Sequence, residues 1–433
     1  MCRCDVFNLA LQRLVRVAPA LLMLLSLAVT VRADASDAFS PERLRRLDQS
    51  LHRYVDEDRV AGVVALVLQD GKPVYNAAMG WADKEAGVRM QPDTLFRIAS
   101  QSKAITSVMA LSLMEEGRLQ LADPVSQLIP AFAHTQVAEM HDGQLKIVPA
   151  SRPITIFDLL THTSGVSYGV EPQIANKYQS VGLGPAAGHG WYLADKDEDV
   201  CTSMERLAKL PFLGQPGERF IYGYSIDVLG CVVERATGKP LDEVVRDRLT
   251  KPLQMNDTFF FVPPEKRSRL AAVYSSTADG HIQRAPDGSL GQGHYTDGPR
   301  KDFSGGAGLV STAQDYARFL EMLRREGEID GHRILSPHAV ALMRTNQIPG
   351  LYAGEGKGFG LGFETVERYG ALGMASVGSY GWGGAYGTQY VVDPQERIVA
   401  VLVIQLLPNQ SGLEKIGFMN LIYQALIKAQ HRP

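Results

Sequence analysis

The chain has 433 residues, of which 45% are hydrophobic and 21% are charged, and its formal net charge at pH 7 is -3. This composition is that of an ordinary globular protein, and the length is too great for one compact core, so two lobes are expected. The balanced charge creates no basic field, which makes nucleic acid an unexpected partner.

The first residues have the pattern of a secretory signal rather than of a folded domain. Three arginines precede an apolar run at 17–31 that contains Pro19, and the small residues of "VRADA" follow. Cleavage after Ala33 or Ala35 would remove a signal peptide at 1–33 and leave a periplasmic or secreted protein. The alternative is an uncleaved anchor, but the run is short for a span of about 20 residues, so no stable membrane anchor is expected.

Cysteines of an exported protein can form disulfide bonds, because the compartment is oxidising. Cys201 and Cys231 remain after the signal is removed. Cys231 lies in the apolar helical stretch "DVLGCVVERATG", which favours a core thiol. A Cys201–Cys231 bridge is the alternative, because sequence does not show proximity. No Cys/His cluster has zinc spacing, and the sequence predicts neither a metal site nor a cofactor.

Helical and β signals follow one another in a definite order along the rest of the chain. The sequence predicts an amphipathic helix at 41–58, a β-hairpin around Asp70-Gly71 and a buried helix at 104–114. The helical stretches "ITIFDLLTHTSG", "VCTSMERLAKL" and "SIDVLGCVVERATGKPLDEVVRDRL" occupy the middle. A second hairpin, "GTQYVVDPQERIVAVLVIQL", and a final helix at about 413–428 close the chain.

Strand signals therefore cluster towards both ends of the chain, with helices between them. The simplest arrangement is an α+β fold in which an antiparallel sheet is built from both ends and flanked by helices. Residues 34–130 and 296–433 would form this discontinuous α/β sheet domain. Residues 131–295 would form an inserted, mostly helical domain.

The stretch "LFRIASQSKAITSVMALSLMEEGRLQ" places a lysine in an otherwise apolar helix. Ser100 would lie at the helix N-terminus, where it could be a simple cap, but a cap leaves Lys103 unexplained. Residues three apart share a helix face, so Lys103 should point where Ser100 points. Burial and the helix dipole favour the neutral amine, which could activate the serine hydroxyl as a nucleophile. Free first-turn N–H groups, including that of Ser100, could bind the resulting oxyanion.

A Ser-x-x-Lys match alone is weak, but two further stretches accompany it. "PGERFIYGYSIDVLG" carries Tyr222 between a Pro-Gly turn and a buried helix, and "GSYGWGGAYGTQYVVDP" carries Trp382, Gly383 and Gly384 before a strand. With "ITIFDLLTHTSGVSYG" and "GGAGLVSTAQDYARFLEML", they resemble the class C β-lactamase-related serine hydrolases, and among them the esterases with a β-lactamase fold. The resemblance covers nearly the whole mature chain. It implies the fold of β-lactamases and penicillin-binding proteins.

The resemblance also implies roles for individual residues. Ser100 would be the acylated nucleophile, Lys103 its activating partner and Tyr222 a second proton-transfer group, although a buried structural tyrosine is the alternative for Tyr222. Either Lys103 or Tyr222 could be the general base, and the sequence leaves both open. The stretch at 382–384 would line the substrate site. The backbone N–H of Ala385 would complete the oxyanion hole with that of Ser100.

Two departures from the family pattern bear on the substrate. The Tyr-x-Asn box reads Tyr-Gly-Tyr at 222–224, so Tyr224 replaces the amide-binding asparagine and becomes a candidate for substrate binding. The Lys-Thr-Gly box reads Trp-Gly-Gly at 382–384, so the lysine that holds a substrate carboxylate is missing. A neutral aromatic site suits an uncharged ester better than an anionic β-lactam, which makes a carboxylesterase the expectation. A class C-type β-lactamase, a D,D-peptidase, an acyltransferase and a penicillin-binding protein without turnover remain as alternatives.

The segment at 165–169 also matches the Gly-x-Ser-x-Gly elbow of α/β-hydrolases. That elbow requires a preceding strand, whereas a helical signal precedes it here. Ser167 is therefore expected in a loop beside the site, and His162 is expected to have a structural role at a helix end.

Overall fold

The computed structural model describes residues 38–184, 193–352, 354–413 and 415–429. The predicted signal peptide lies outside these residues. The α-helices are α1 (Pro41–Asp56), α2 (Ser102–Glu115), α3 (Ile156–Leu160), α4 (Ala175–Ser180), α5 (Val200–Leu207), α6 (Ser225–Thr237), α7 (Leu241–Val245), α8 (Ala313–Arg324), α9 (Pro337–Met343) and α10 (Lys415–Tyr423). None of the helices in the described part of the chain combines the length and the hydropathy needed to cross a membrane.

The strands form one large antiparallel sheet and several small ones. They are β1 (Gly62–Gln69), β2 (Lys72–Asp83), β3 (Val88–Arg89), β4 (Phe96–Arg97), β5 (Gln136–His141), β6 (Gln144–Pro149), β7 (Pro211–Phe212), β8 (Tyr274–Ser276), β9 (Ile282–Arg284), β10 (Val310–Ser311), β11 (Glu328–Ile329), β12 (His332–Arg333), β13 (Lys357–Phe359), β14 (Glu364–Val366), β15 (Tyr380–Gly383), β16 (Gln389–Asp393) and β17 (Ile398–Val403). The eight-stranded sheet has the order β13-β14-β15-β16-β17-β1-β2-β3. Both ends of the chain contribute to it, which confirms the predicted α+β architecture.

The central sheet is buried on both faces, because residues along each strand alternate between two cores. In β17, Val399 and Val401 belong to a core that includes α2 and α8, whereas Ala400 and Leu402 face a second core that includes α1 and α10. The β1–β2 hairpin turns at Asp70-Gly71, and both turn residues have positive φ, as a two-residue turn of this kind requires.

The segment expected to be a mostly helical insert contains α3 to α7 but also two small sheets. Strands β5, β6 and β7 form one, and β8 and β9 form the other. The β5–β6 hairpin turns at Asp142-Gly143, where φ is 52° and 77°. An Asp-Gly pair is a hairpin signal, but the prediction of a mostly helical segment did not take it into account. The domain limits at 131 and 295 remain a prediction.

A disulfide bond joins Cys201 on α5 to Cys231 on α6, with the two Cα atoms 4.9 Å apart. The sequence favoured a core thiol for Cys231, and that expectation is wrong. Cys231 is fully buried as expected, but α5 packs directly against α6 and brings Cys201 beside it. This proximity arises from helix packing and not from sequence spacing.

Candidate active site

The turn that carries Ser100 is a strained entry into α2. Ser100 lies in a 3₁₀ turn, Ala99–Gln101, and α2 begins only at Ser102, one residue later than a Ser100 cap would place it. Ala99 has a φ of 43°, a left-handed conformation that an alanine rarely adopts. The Ser102 hydroxyl oxygen accepts a hydrogen bond from the backbone N–H of Leu309 at 3.0 Å, which fixes the start of the helix. Ser100 itself remains half-buried and open to a substrate.

Lys103 lies directly beneath Ser100 and is almost fully buried, with 2% of its surface exposed. Its Nζ is 3.3 Å from Ser100 Oγ, 2.9 Å from the hydroxyl of Tyr168 and 2.7 Å from the carbonyl oxygen of Gly306. The structure therefore brings together the serine and the lysine that the sequence paired.

Tyr168 is a site residue that the sequence analysis missed. Its hydroxyl is hydrogen-bonded to both Lys103 and Ser100, and only 6% of its surface is exposed. Burial raises the pKa of Tyr168 well above its usual value, and the neighbouring Tyr222 and Asp227 add to this shift, so the phenol stays protonated near neutral pH. The stretch "THTSGVSYG" was identified as typical of the family, but nothing in its spacing relates Tyr168 to Lys103.

Tyr222 stands on the open side of the lysine, next to Trp382. The indole Nε1 of Trp382 donates a hydrogen bond to the Tyr222 hydroxyl at 3.1 Å. Lys103 Nζ lies 4.7 Å from the centroid of the Tyr222 ring. Both aromatic residues are half-buried, so this side of the site is where a substrate can enter.

Further aromatic rings complete the wall behind Tyr222 and Trp382. Phe359 packs edge-on against Trp382 with the ring centroids 5.5 Å apart, and Phe220 lies 5.0 Å from Phe359. His162 lies 4.7 Å from the Tyr222 ring and is fully buried. Burial and the nearby charge of Lys103 hold the pKa of His162 well below its usual value, so the imidazole is neutral. The wall is therefore uncharged.

The glycines after Trp382 allow the edge of β15 to approach the nucleophile turn. A Cβ at Gly384 would overlap the carbonyl oxygen of Ile98, two residues before Ser100, and the hydroxyl oxygen of Thr388. Ala385 follows in a turn closed by the hydrogen bond from Gly387 N–H to Gly384 O at 2.9 Å. This arrangement brings the Ala385 backbone close to the site, and its role in the oxyanion hole remains a prediction.

Comparisons with known proteins agree with this geometry. The model of the Beta-lactamase family matches residues 47–424. The chain belongs to this family. Esterase EstB of Burkholderia gladioli is 34% identical over 399 residues, which cover 87% of this chain and 94% of that esterase. Protein Rv1367c of Mycobacterium tuberculosis is 36% identical over 84% of this chain and 90% of its own. The solved structure of EstCE1, a hydrolase with promiscuous acyltransferase activity, has a TM-score of 0.75 at 29% identity and covers 89% of this chain and 99% of its own.

The protein is thus a serine hydrolase with the β-lactamase fold, and one of its predicted substrate-binding residues needs correction. Tyr224 is 1% exposed, and its ring packs edge-on against Tyr168 at 4.9 Å. It supports Tyr168 from behind and does not face the substrate, so the expectation of direct substrate binding is corrected. Ser167 lies in a loop, as expected from the sequence, where it is fully buried and donates a hydrogen bond to Glu171 at 3.0 Å.

Two lysines that lie near the aromatic wall, on its Tyr352 side, are already paired. Lys357 and Lys415 both bond to Glu364, with nitrogen–oxygen distances of 3.2 and 3.3 Å. Burial lowers the pKa of Lys415. Burial alone would raise the pKa of Glu364, but the two lysines and the Tyr352 hydroxyl outweigh it, and the pKa of Glu364 is lowered. These lysines are therefore held by a carboxylate and do not replace the substrate-binding lysine of the β-lactamases. Among the described residues, no group of His, Cys, Asp or Glu has the arrangement of a metal site.

Proposed function

We propose that the protein is a carboxylesterase that hydrolyses uncharged esters through an acyl-enzyme. The observation that carries this proposal is the hydrogen bond from Trp382 Nε1 to the Tyr222 hydroxyl. A neutral indole occupies the position where β-lactamases of this family place the lysine that binds a substrate carboxylate. The ester group can pack against this uncharged wall, whereas an anionic substrate would lose its hydration there without gaining a counter-charge.

In the acylation step, the Ser100 hydroxyl gives its proton to the Lys103 amine while its oxygen attacks the ester carbonyl carbon. The tetrahedral oxyanion is bound by the backbone N–H groups of Ser100 and Ala385. When the intermediate collapses, the carbon–oxygen bond to the alcohol breaks. The leaving oxygen takes the proton of the Tyr222 hydroxyl, and the Lys103 ammonium returns a proton to Tyr222.

In the deacylation step, water takes the place of the alcohol and the same transfers run in reverse. The buried Tyr168 hydroxyl stays protonated throughout, because its pKa is raised, and keeps Lys103 in place. An alcohol or amine that enters instead of water would receive the acyl group, so transfer to an added acceptor is a possible side reaction of the same intermediate.

A panel of p-nitrophenyl esters, alkyl esters, amides and β-lactams tests this proposal, with mass spectrometry of the trapped adduct. Esters should turn over, and Ser100→Ala should lower turnover by several orders of magnitude and abolish the adduct. Trp382→Lys should shift the preference towards anionic β-lactams, whereas the matched Trp382→Phe should not. Faster hydrolysis of a cephalosporin than of any ester, or acylation by penicillin without turnover, would contradict the esterase assignment.

We also propose that the protein is exported and acts in the periplasm or outside the cell. Two features support this: the signal-like pattern at 1–33 and the Cys201–Cys231 bridge, which an oxidising compartment favours. N-terminal sequencing of the protein from fractionated cells tests the proposal. A mature chain that begins near residue 34 in the exported fraction is the expected result, and full-length protein confined to the cytoplasm would refute it.

A further inference from the structure

A buried carboxylate that the proposed chemistry does not use lies behind Lys103. Asp227 is in the first turn of α6, and 1% of its surface is exposed. Its Oδ1 accepts hydrogen bonds from the Ser304 hydroxyl and from the N–H of Gly306, the latter at 3.0 Å. Burial raises the pKa of Asp227, whereas the charge of Lys103 and these hydrogen bonds act in the opposite direction. A carboxylate is costly in such a place, and the groups around it are arranged to favour its charged form.

The backbone of Gly306 connects this carboxylate to the lysine. The N–H of Gly306 points to Asp227, and the carbonyl oxygen of the same residue accepts a hydrogen bond from Lys103 Nζ at 2.7 Å. A Cβ at Gly306 would overlap Oδ2 of Asp227, so any larger residue would displace this carboxylate. The Thr106 hydroxyl holds the preceding carbonyl, that of Gly305, at 2.8 Å. The segment is therefore fixed from both α2 and α6 at the point where it meets Lys103.

We propose that Asp227 is a positioning residue for acyl transfer, acting on Lys103 through the Gly306 backbone and through its negative charge. This inference rests on the function proposed above. With the Gly306 carbonyl fixed, one N–H of Lys103 has a defined direction, and the nitrogen is thereby aimed at Ser100, 3.3 Å away. The charge of Asp227 also stabilises the ammonium that Lys103 becomes when it accepts the serine proton. Asp227 makes no contact with substrate in this scheme.

Asp227→Asn tests the inference, because it keeps the shape and one acceptor oxygen but removes the charge. The kcat/KM for a p-nitrophenyl ester should fall by about ten- to a hundredfold, as expected when a general base is slightly displaced. Loss of the negative charge makes the pocket less favourable for a proton taken up during the reaction. The acid limb of the pH profile of kcat/KM should therefore move to lower pH, by on the order of one unit. A change that only destabilised the fold would leave this limb in place.

Two further variants keep the test decisive. Asp393→Asn removes another fully buried carboxylate, one that caps the β16–β17 turn, and it should lower the stability while leaving the acid limb unchanged. Ser304→Ala removes one donor to Asp227 without touching Lys103, and it should lower kcat/KM by a smaller factor. This variant carries the test if Asp227→Asn does not fold.

An Asp227→Asn enzyme with the wild-type acid limb and the wild-type kcat/KM would overturn the inference. If Asp227→Asn fails to fold, the Ser304→Ala enzyme decides. A Ser304→Ala enzyme whose kcat/KM is no lower than that of Asp393→Asn would also overturn the inference. Ser100→Ala, measured alongside, separates this failure from a failure of the proposed function. Continued ester hydrolysis by Ser100→Ala would remove the acyl-enzyme mechanism itself, whereas an inert Ser100→Ala would leave that mechanism intact.

Discussion

Replacement of Tyr168 by phenylalanine should separate the roles of the two site tyrosines. The change removes the hydroxyl that lies 2.9 Å from Lys103 Nζ, in a place where 6% of the tyrosine surface is exposed. Water cannot readily replace the hydroxyl there, so one N–H of Lys103 loses its acceptor. A buried donor left without its acceptor costs about 1–3 kcal/mol. At about 1.4 kcal/mol for each tenfold in rate, kcat/KM should fall by about ten- to a hundredfold.

The assay compares two esters that share an acyl group but differ in the leaving group. A p-nitrophenolate leaves without being protonated, whereas an alkoxide must take a proton as the bond breaks. Tyr168→Phe should lower kcat/KM for both esters by a similar factor, because Lys103 is misplaced in either case. Tyr222→Phe should have little effect on the p-nitrophenyl ester and should slow the alkyl ester by about a hundredfold or more, since Tyr222 supplies the proton.

Two results would refute this reasoning. One is a Tyr168→Phe enzyme that stays within about twofold of the wild type on both esters, because a buried N–H left without its acceptor should cost more than that. The other is a Tyr222→Phe enzyme that loses the same factor on both esters. Tyr423→Phe serves as the control, because its buried hydroxyl bonds Asp393 on the other face of the sheet and should affect stability only.

Three further changes test other parts of the structure. Gly384→Ala should lower kcat/KM by about a hundredfold, since the new Cβ would overlap the Ile98 carbonyl and push β15 away from Ser100; wild-type kinetics would contradict the tight approach. The double change Cys201→Ser and Cys231→Ser should cost about 2–4 kcal/mol in urea-induced unfolding while ester hydrolysis at 25 °C persists. Because the pKa of His162 is well below 6.5 in the folded protein, near pH 6.5 this histidine binds a proton only in the unfolded chain. The free energy of unfolding should therefore fall by about 1.4 kcal/mol per pH unit as the pH drops below 6.5. His162→Leu should flatten this dependence.

The sequence by itself determined the parts of the site that depend on neighbours along the chain. Ser100 and Lys103 point the same way because they are three residues apart across the turn that leads into α2, and their 3.3 Å contact follows from that spacing. The Asp70-Gly71 hairpin likewise follows from the φ values that this residue pair permits. The resemblance of the motif at 382–384 to the family box likewise predicts, from sequence alone, that Trp382 stands where the β-lactamases have a lysine.

Only the tertiary structure decided what surrounds Lys103. Its partners Tyr168 and Gly306 lie 65 and 203 residues away in sequence, and no local pattern relates residues so far apart. The same limit applies to the disulfide partner of Cys231 and to the burial of Tyr224, because both depend on how α6 packs against its neighbours. Residues that meet through packing are specified by the whole core, whereas residues that meet within one turn are specified by their spacing.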